Sequence, residues 1–377
     1  MAGVPRLSRR ARWAIPAGAL VITGAVIGGS LISVAQASPG LPSRTPAQLL
    51  VQVADSVTPP LTGTVVETTS LGLPSLPGTA NPTSIASLLT GSHTVRVWYS
   101  GPRHFRLAVP EPLSVTDVIA DGNTAWQWES TANAVTGYSL PAHSTAPQTA
   151  PTTAPLTPQQ AAQQVLAAVG PTTTVSVDSN VTVAGQPAYE LVLAPKDSRS
   201  LVGQVQIAVD GKNGVPLRLQ VYARGASSPA FQVGYTSIQF VTPAPADLTF
   251  TPPPGAKVTH VNLSAPSGSD QRRGDVSTIG SGWLTVLDLP SAGLTAPGAS
   301  GSSGDSPAGD SAAVLNALLQ SATPVSGAWG SGRLLRTSLV SVLITDGGRA
   351  FAGAVQPSVL YAAAGQAAAG SSSTQAP

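Results

Sequence analysis

The chain has 377 residues, enough for two modest domains with tails, but with 38 glycines, 35 prolines and a charged fraction of only 10%, long stretches of it cannot be regular structure. The formal charge of +2 comes from Arg6, Arg9, Arg10 and Arg12; without them 15 basic residues stand against 17 acidic ones, a balance that argues against a nucleic-acid partner. There is no cysteine, which excludes disulfides, thiolate metal sites and a lipid-modified N-terminal cysteine.

The four arginines precede an uncharged run from Trp13 to Ala35 that closes on the small-x-small triplet Ala35-Gln36-Ala37. Residues 1–37 therefore read as an export signal peptide or, if uncleaved, as an N-terminal membrane anchor. Either way the remainder is expected to be extracytoplasmic, secreted or tethered to the cytoplasmic membrane.

Thr45-Pro46 opens a first helix, with Thr45 as cap and Leu49, Leu50, Val53 and Val57 at helical spacing; Pro59-Pro60 ends it. From Thr62 the period changes to two. Strands are expected at 63–68, 93–99, 105–109 and 115–119. The turn Asp121-Gly122-Asn123 leads into a strand at 124–129 carrying Trp126 and Trp128 on one face, and another follows at 135–140. After a Pro/Thr/Ala loop at 141–156, Thr157 and Gln160 form a capping box for a second helix with Ala162, Val165, Leu166 and Val169, stopped at Gly170. Strands then recur through Tyr189, Leu191 and Leu193, Val205 to Val209, Leu217 to Val221, Phe231 to Tyr235, and Ile238 to Phe240.

The fold class read from this is α+β: about ten antiparallel strands over 45–260 forming an open half-barrel covered by two helices. Each strand has one apolar face, and two short helices are too small to hide a face of that width. A concave apolar surface follows. Residues 264–281 read as a linker. Residues 282–361 read as a small C-terminal α+β unit with a disordered insert at 291–310, and 362–377 as a disordered tail. In that unit, strands are expected at 283–289, 334–344 and 350–355, with a helix capped by Ser311 that carries Val314, Leu315, Leu318 and Leu319.

Catalytic chemistry is not legible. His93, His104, His143 and His260 are scattered without metal-ligand spacing, and Glu67, Asp117 and Glu190 form no apparent acid/base pair. There is no nucleophile elbow and no phosphate loop. The reading is a non-enzymatic protein with no cofactor and no metal.

Three stretches carry a resemblance: Gly101-Pro102-Arg103-His104-Phe105-Arg106, Asp121-Gly122-Asn123-Thr124-Ala125-Trp126-Gln127-Trp128, and Phe250-Thr251-Pro252-Pro253-Pro254-Gly255. In this order and spacing they resemble the LolA-like fold, which is shared by periplasmic lipoprotein carriers, sigma-E regulatory proteins of the RseB/MucB kind and mycobacterial lipid-carrying lipoproteins. The resemblance covers about 45–260. It implies an incomplete barrel lidded by helices and an acyl chain inside. The expected ligand, a lipid or lipoprotein acyl chain, would lie against Val97, Tyr99, Phe105, Leu107, Ile119, Trp126, Trp128, Tyr189, Leu191, Leu193, Leu217 and Leu219. The two-domain layout is more similar to the RseB/MucB kind, which implies the alternative of an envelope-stress sensor gripping a membrane-bound anti-sigma factor. The protein is expected to be a monomer.

Overall fold

The computed structural model describes residues 40–73, 90–111, 113–139, 157–167, 170–262, 276–290 and 318–373. The signal or anchor segment, the 141–156 loop, the 291–310 insert and the cap of the 311–319 helix lie outside the described residues. Among the described residues no helix is long and apolar enough to cross a membrane.

Helix α1 (Pro46–Asp55) starts as its residues dictate. The Thr45 hydroxyl accepts from the Gln48 N–H and the Gln48 side chain accepts from the Thr45 N–H, satisfying two donors that have no partner inside the first turn. Leu49 and Val53, four apart, point into the core. Helix α2 (Pro158–Ala167) repeats the device with Thr157 and Gln160.

The main sheet has twelve strands. Six come before α2: β1 (Leu61–Ser70), β2 (Thr90–Gly101), β3 (His104–Pro110), β4 (Val115–Asp121), β5 (Thr124–Glu129) and β6 (Ala134–Ser139). Five follow it: β7 (Thr173–Val183), β8 (Gln186–Pro195), β9 (Val202–Asp210), β10 (Pro216–Ala223) and β11 (Pro229–Gln239). After the short turn α3 (Pro245–Leu248) comes β12 (Lys257–Asn262). The order across the sheet is β12-β6-β5-β4-β3-β2-β1-β11-β10-β9-β8-β7. Two antiparallel meanders thus join at the β1–β11 ladder, and β12 adds in parallel to β6.

The sheet is open. Its far strands β12 and β7 do not pair, yet it is strongly curled: β7 reaches β11 although three strands lie between them in the hydrogen-bonding order. Helix α2 rests on β10 and β11, and α1 touches β7.

A second, six-stranded sheet runs β13 (Ser277–Ile279), β14 (Val286–Pro290), β18 (Arg349–Gly353), β17 (Ser341–Thr345), β16 (Gly330–Arg336), β15 (Thr323–Gly327), with α4 (Pro357–Ser373) packed on β14, β17 and β18. Two expectations change here. The single strand read at 334–344 is a hairpin, because the Thr337 hydroxyl accepts from the Leu339 and Val340 N–H groups and turns the chain. The segment read as a disordered tail is helical as far as Ser373: its alanines favour helix, and Leu360, Ala363 and Ala364 give it a buried side. Strands β12, β13 and β15 were not read from the sequence.

The two sheets are stitched together. The Leu201 N–H donates to the Ala354 carbonyl (2.9 Å) and the Gln356 N–H to the Arg199 carbonyl (2.8 Å). The Ser338 N–H donates to the Leu71 carbonyl (2.9 Å), and the Trp283 indole N–H to the Thr173 hydroxyl (2.7 Å).

Candidate functional site: the apolar face of the large sheet

Residues directly opposed in an antiparallel ladder share a face, and neighbours along a strand do not. Following the register therefore sorts every side chain. One row runs Val177–Leu191–Ile207–Leu219–Val233–Glu67–His93 across β7, β8, β9, β10, β11, β1 and β2. The next runs Val175–Leu193–Val205–Val221–Phe231–Thr69–Gly91. On β2 the same face carries Val95, Val97 and Tyr99; on β3 it carries Phe105 and Leu107, opposite Tyr99 and Val97.

This face is the core-forming one. Leu191, Leu193, Leu217, Leu219 and Tyr189 are fully buried with Leu49 and Val53 of α1 and Ala162 of α2. The Tyr189 hydroxyl donates to the Pro42 carbonyl at 2.7 Å, so the segment before α1 is tied across the curl. Along β2 and β3 the same face opens. Val97 remains buried, but Tyr99, Phe105 and Leu107 are only half-buried. Tyr235 joins the face as the partner of Val65 across β1, and its ring lies over Gly63, where a Cβ would stand 3.0 Å from it.

The twelve residues expected to line one wall do not share it. Ile119 pairs with Arg106 and with Trp126, and Arg106 pairs with Trp98. Trp128 pairs with Asp117. Ile119, Trp126 and Trp128 therefore face the opposite side of the sheet from Tyr99, Phe105 and Leu107. The apolar side switches at β4. Beyond it the concave face becomes polar, with Gln127 and Tyr138 hydrogen-bonded across β5 and β6. The two tryptophans have their own cover: Phe250, just after α3, stands 5.8 Å from Trp126 and 6.5 Å from Trp128, and His260 of β12 lies edge-on to Trp126 at 5.7 Å. Next to them Arg106 lies over the Trp98 ring and binds Asp117 at 2.5 Å, with Asp117 only 1% exposed.

Sequence reasoning weighed Glu67 and His93 only for acid/base and metal chemistry and did not consider Thr69; all three lie on the concave face. Glu67 is 2% exposed, Thr69 5% and His93 8%. Burial pushes the Glu67 carboxyl up to about 8, so it stays protonated at neutral pH. The one available signal was the alternation Val65-x-Glu67-x-Thr69. It was masked by Val66, which makes either phase of the strand look apolar.

A separate cleft of about 620 Å³ lies between the sheets, lined by Asp197, Arg199, Trp283, Leu284, Val359 and Ala363 among others. At its rim the Arg199 guanidinium, hydrogen-bonded to Asp197, holds that carboxyl down at about 2.

No family model matches the chain, and no curated protein is similar to it. Solved structures are. The MucA/MucB complex from Pseudomonas aeruginosa is similar at 16% identity over 85% of this chain and 96% of that one, with a TM-score of 0.41. A LolA superfamily protein from Nitrosomonas europaea is similar at 11% identity over 55% of this chain and 99% of that one, TM-score 0.23. A putative outer membrane lipoprotein-sorting protein domain from Vibrio parahaemolyticus is similar at 9% identity over 52% and 90%, TM-score 0.21.

Proposed function

We propose that this is an exported binding protein, without catalytic activity, that holds the acyl chain of a lipid or lipoprotein against the concave face of its large sheet. The observation that carries the reading is the change in burial along one continuous face. It is sealed under α1 and α2 over β7 to β11 and only half-covered at Tyr99, Phe105 and Leu107. A continuous apolar face on a curled sheet takes an apolar occupant at its uncovered part. Burying each methylene contributes about 0.8 kcal/mol, so a chain of ~14 carbons binds firmly without a strong polar contact.

The ligand wall in this reading is Val97, Tyr99, Phe105 and Leu107. Tyr189, Leu191, Leu193, Leu217 and Leu219 join it where α1 and α2 give way. Ile119, Trp126 and Trp128 act from behind by holding β4 to β6 in place. Displacement of a fluorescent apolar probe by methyl palmitate tests the reading: wild-type protein loses probe signal, and Tyr99→Ala weakens the displacement. Displacement unaltered by Tyr99→Ala and Phe105→Ala together would refute it.

A further inference from the structure

The two sheets end in four outer strands, β7 and β12 of the large sheet and β13 and β15 of the small one. An outer strand presents unpaired backbone N–H and C=O groups, and folds blunt such edges with charge, proline or a bulge. Three of the four are blunted in this way. β12 carries an exposed Lys257, β15 carries Pro324, and the register of β7 breaks between Val177 and Asn180, leaving Asp178 exposed. β13, Ser277-Thr278-Ile279, has none of these devices; only its length restrains it, and that confines pairing to the stretch beside the cleft.

That cleft, about 620 Å³, has the size of a ligand site, which runs from roughly 300 to 1,000 Å³. Ile279 of β13 and its partner Val286 on β14 both line it. Trp283, Leu284 and Val359 stand half-buried around it. The Trp283 indole N–H is already bonded to Thr173, so the ring offers the cleft only carbon. Among the described residues the charges lining the cleft are Asp197 and Arg199, which neutralise each other at 2.7 Å. An unpaired backbone edge beside an apolar floor with balanced charge fits an extended, uncharged polypeptide better than an ion.

We propose that β13 takes an extended segment of a partner protein as an added strand, with apolar side chains at alternate positions entering the cleft between the sheets. The inference concerns a different surface from the concave face and stands apart from the acyl-chain reading. The main chain of the added strand bonds the free edge of β13, which gives affinity without a particular sequence. Side chains opposed to Ile279 share its face and meet Leu284 and Val359, which gives the preference for apolar residues at every second position. The segment is uncharged at these positions, because the Asp197–Arg199 pair leaves neither sign unmatched.

The test is fluorescence anisotropy of a labelled, acetylated and amidated Ser-Val-Thr-Val-Thr-Val-Ser peptide titrated with the full chain, with far-UV circular dichroism confirming the fold of each variant. The wild type is expected to bind it. An added strand turns only every second N–H toward its neighbour, so N-methylation of one set of alternate residues is expected to weaken binding about tenfold and of the other set to leave it nearly unchanged. Ala362→Glu, at an exposed position of α4 that lines the cleft, is expected to weaken binding about tenfold by bringing in an unmatched charge. No binding of the parent peptide at about 1 mM, equal binding of both methylated analogues and the parent, or binding unaltered by Ala362→Glu overturns the proposal. Displacement of the peptide by methyl palmitate would make the cleft an acyl site, and wild-type dimers that Ala362→Glu dissolves would make a second copy the occupant; either overturns the partner strand.

Discussion

Tyr99 and Trp126 belong to one sheet, three strands apart, and present their rings to opposite faces. Tyr99 pairs with Phe105, Phe105 with Ala120, and Ala120 with Ala125; Trp126 is the next residue along β5. The two aromatics look alike in the sequence, each in an alternating strand, and the ladder gives them different work.

That division makes the first prediction. Trp126→Ala removes a large half-buried ring packed on Phe250 and His260 and is expected to destabilise the fold by about 3 kcal/mol, while leaving probe affinity within threefold. Tyr99→Ala is expected to do the reverse: little loss of stability, about tenfold weaker probe binding. Urea melts alongside titrations check both. Equal loss of affinity in the two variants would mean the faces are not functionally distinct.

Gly137 explains how the Trp126 ring fits. A Cβ there would stand 2.7 Å from that ring and 2.9 Å from His260 Nδ1. Gly137→Ala is expected to cost about 1–3 kcal/mol by forcing the tryptophan off its site, read as a fall in urea midpoint at constant slope. A midpoint equal to that of the wild type would show that the ring moves freely.

The Arg106–Asp117 pair predicts a non-additive cycle. Asp117 is almost wholly buried, and Arg106 reaches it from a half-exposed position. Arg106→Met leaves a buried carboxylate without its counter-charge and is expected to cost about 3 kcal/mol. Adding Asp117→Leu recovers most of that loss. A double variant as unstable as the sum of the two singles would place the stability elsewhere, in the Trp98 stacking of Arg106.

Glu67 sets a pH dependence whose sign is fixed by burial. Its carboxyl titrates near 8 in the folded protein and near 4.5 when unfolded, so the folded state holds the extra proton between those values. Stability conferred by neutral Glu67 is therefore fully present below about pH 4.5 and is lost as pH rises toward 8, by about 1.4 kcal/mol per pH unit. Glu67→Gln removes that slope. Thermal melts of both proteins at pH 5 and pH 8 check it: the wild type is expected to lose more stability than the variant. Identical pH profiles would show that Glu67 is ionised in the fold.

Much of the architecture was legible in the sequence. The capping residues Thr45 and Thr157 mark both lid helices, and alternation marks nearly every strand of the large sheet. Which way each strand faces was not legible beyond β3. Ile119, Trp126 and Trp128 alternate as cleanly as Tyr99 and Phe105, and alternation carries period but no absolute direction. Direction comes from long-range pairing, such as Ile119 against Arg106, and from Phe250, which lies more than a hundred residues downstream of β4. Edge strand β12 escaped for a related reason: its Val258 and Val261 remain exposed, so no buried face imposes a pattern on it. Helix α4 was missed because beyond Leu360 its buried side is made of alanines, which look like filler beside glycine and serine.

The central claim is that the uncovered part of the concave face, at Tyr99, Phe105 and Leu107, holds an acyl chain. Native mass spectrometry of the protein, purified without detergent and then extracted with organic solvent, tests it most directly. The expected spectrum contains a bound population heavier by one lipid mass, lost on extraction and absent in the Tyr99→Ala, Phe105→Ala double variant. A single unliganded mass that stays unliganded after incubation with methyl palmitate, while the protein remains folded, would contradict the claim.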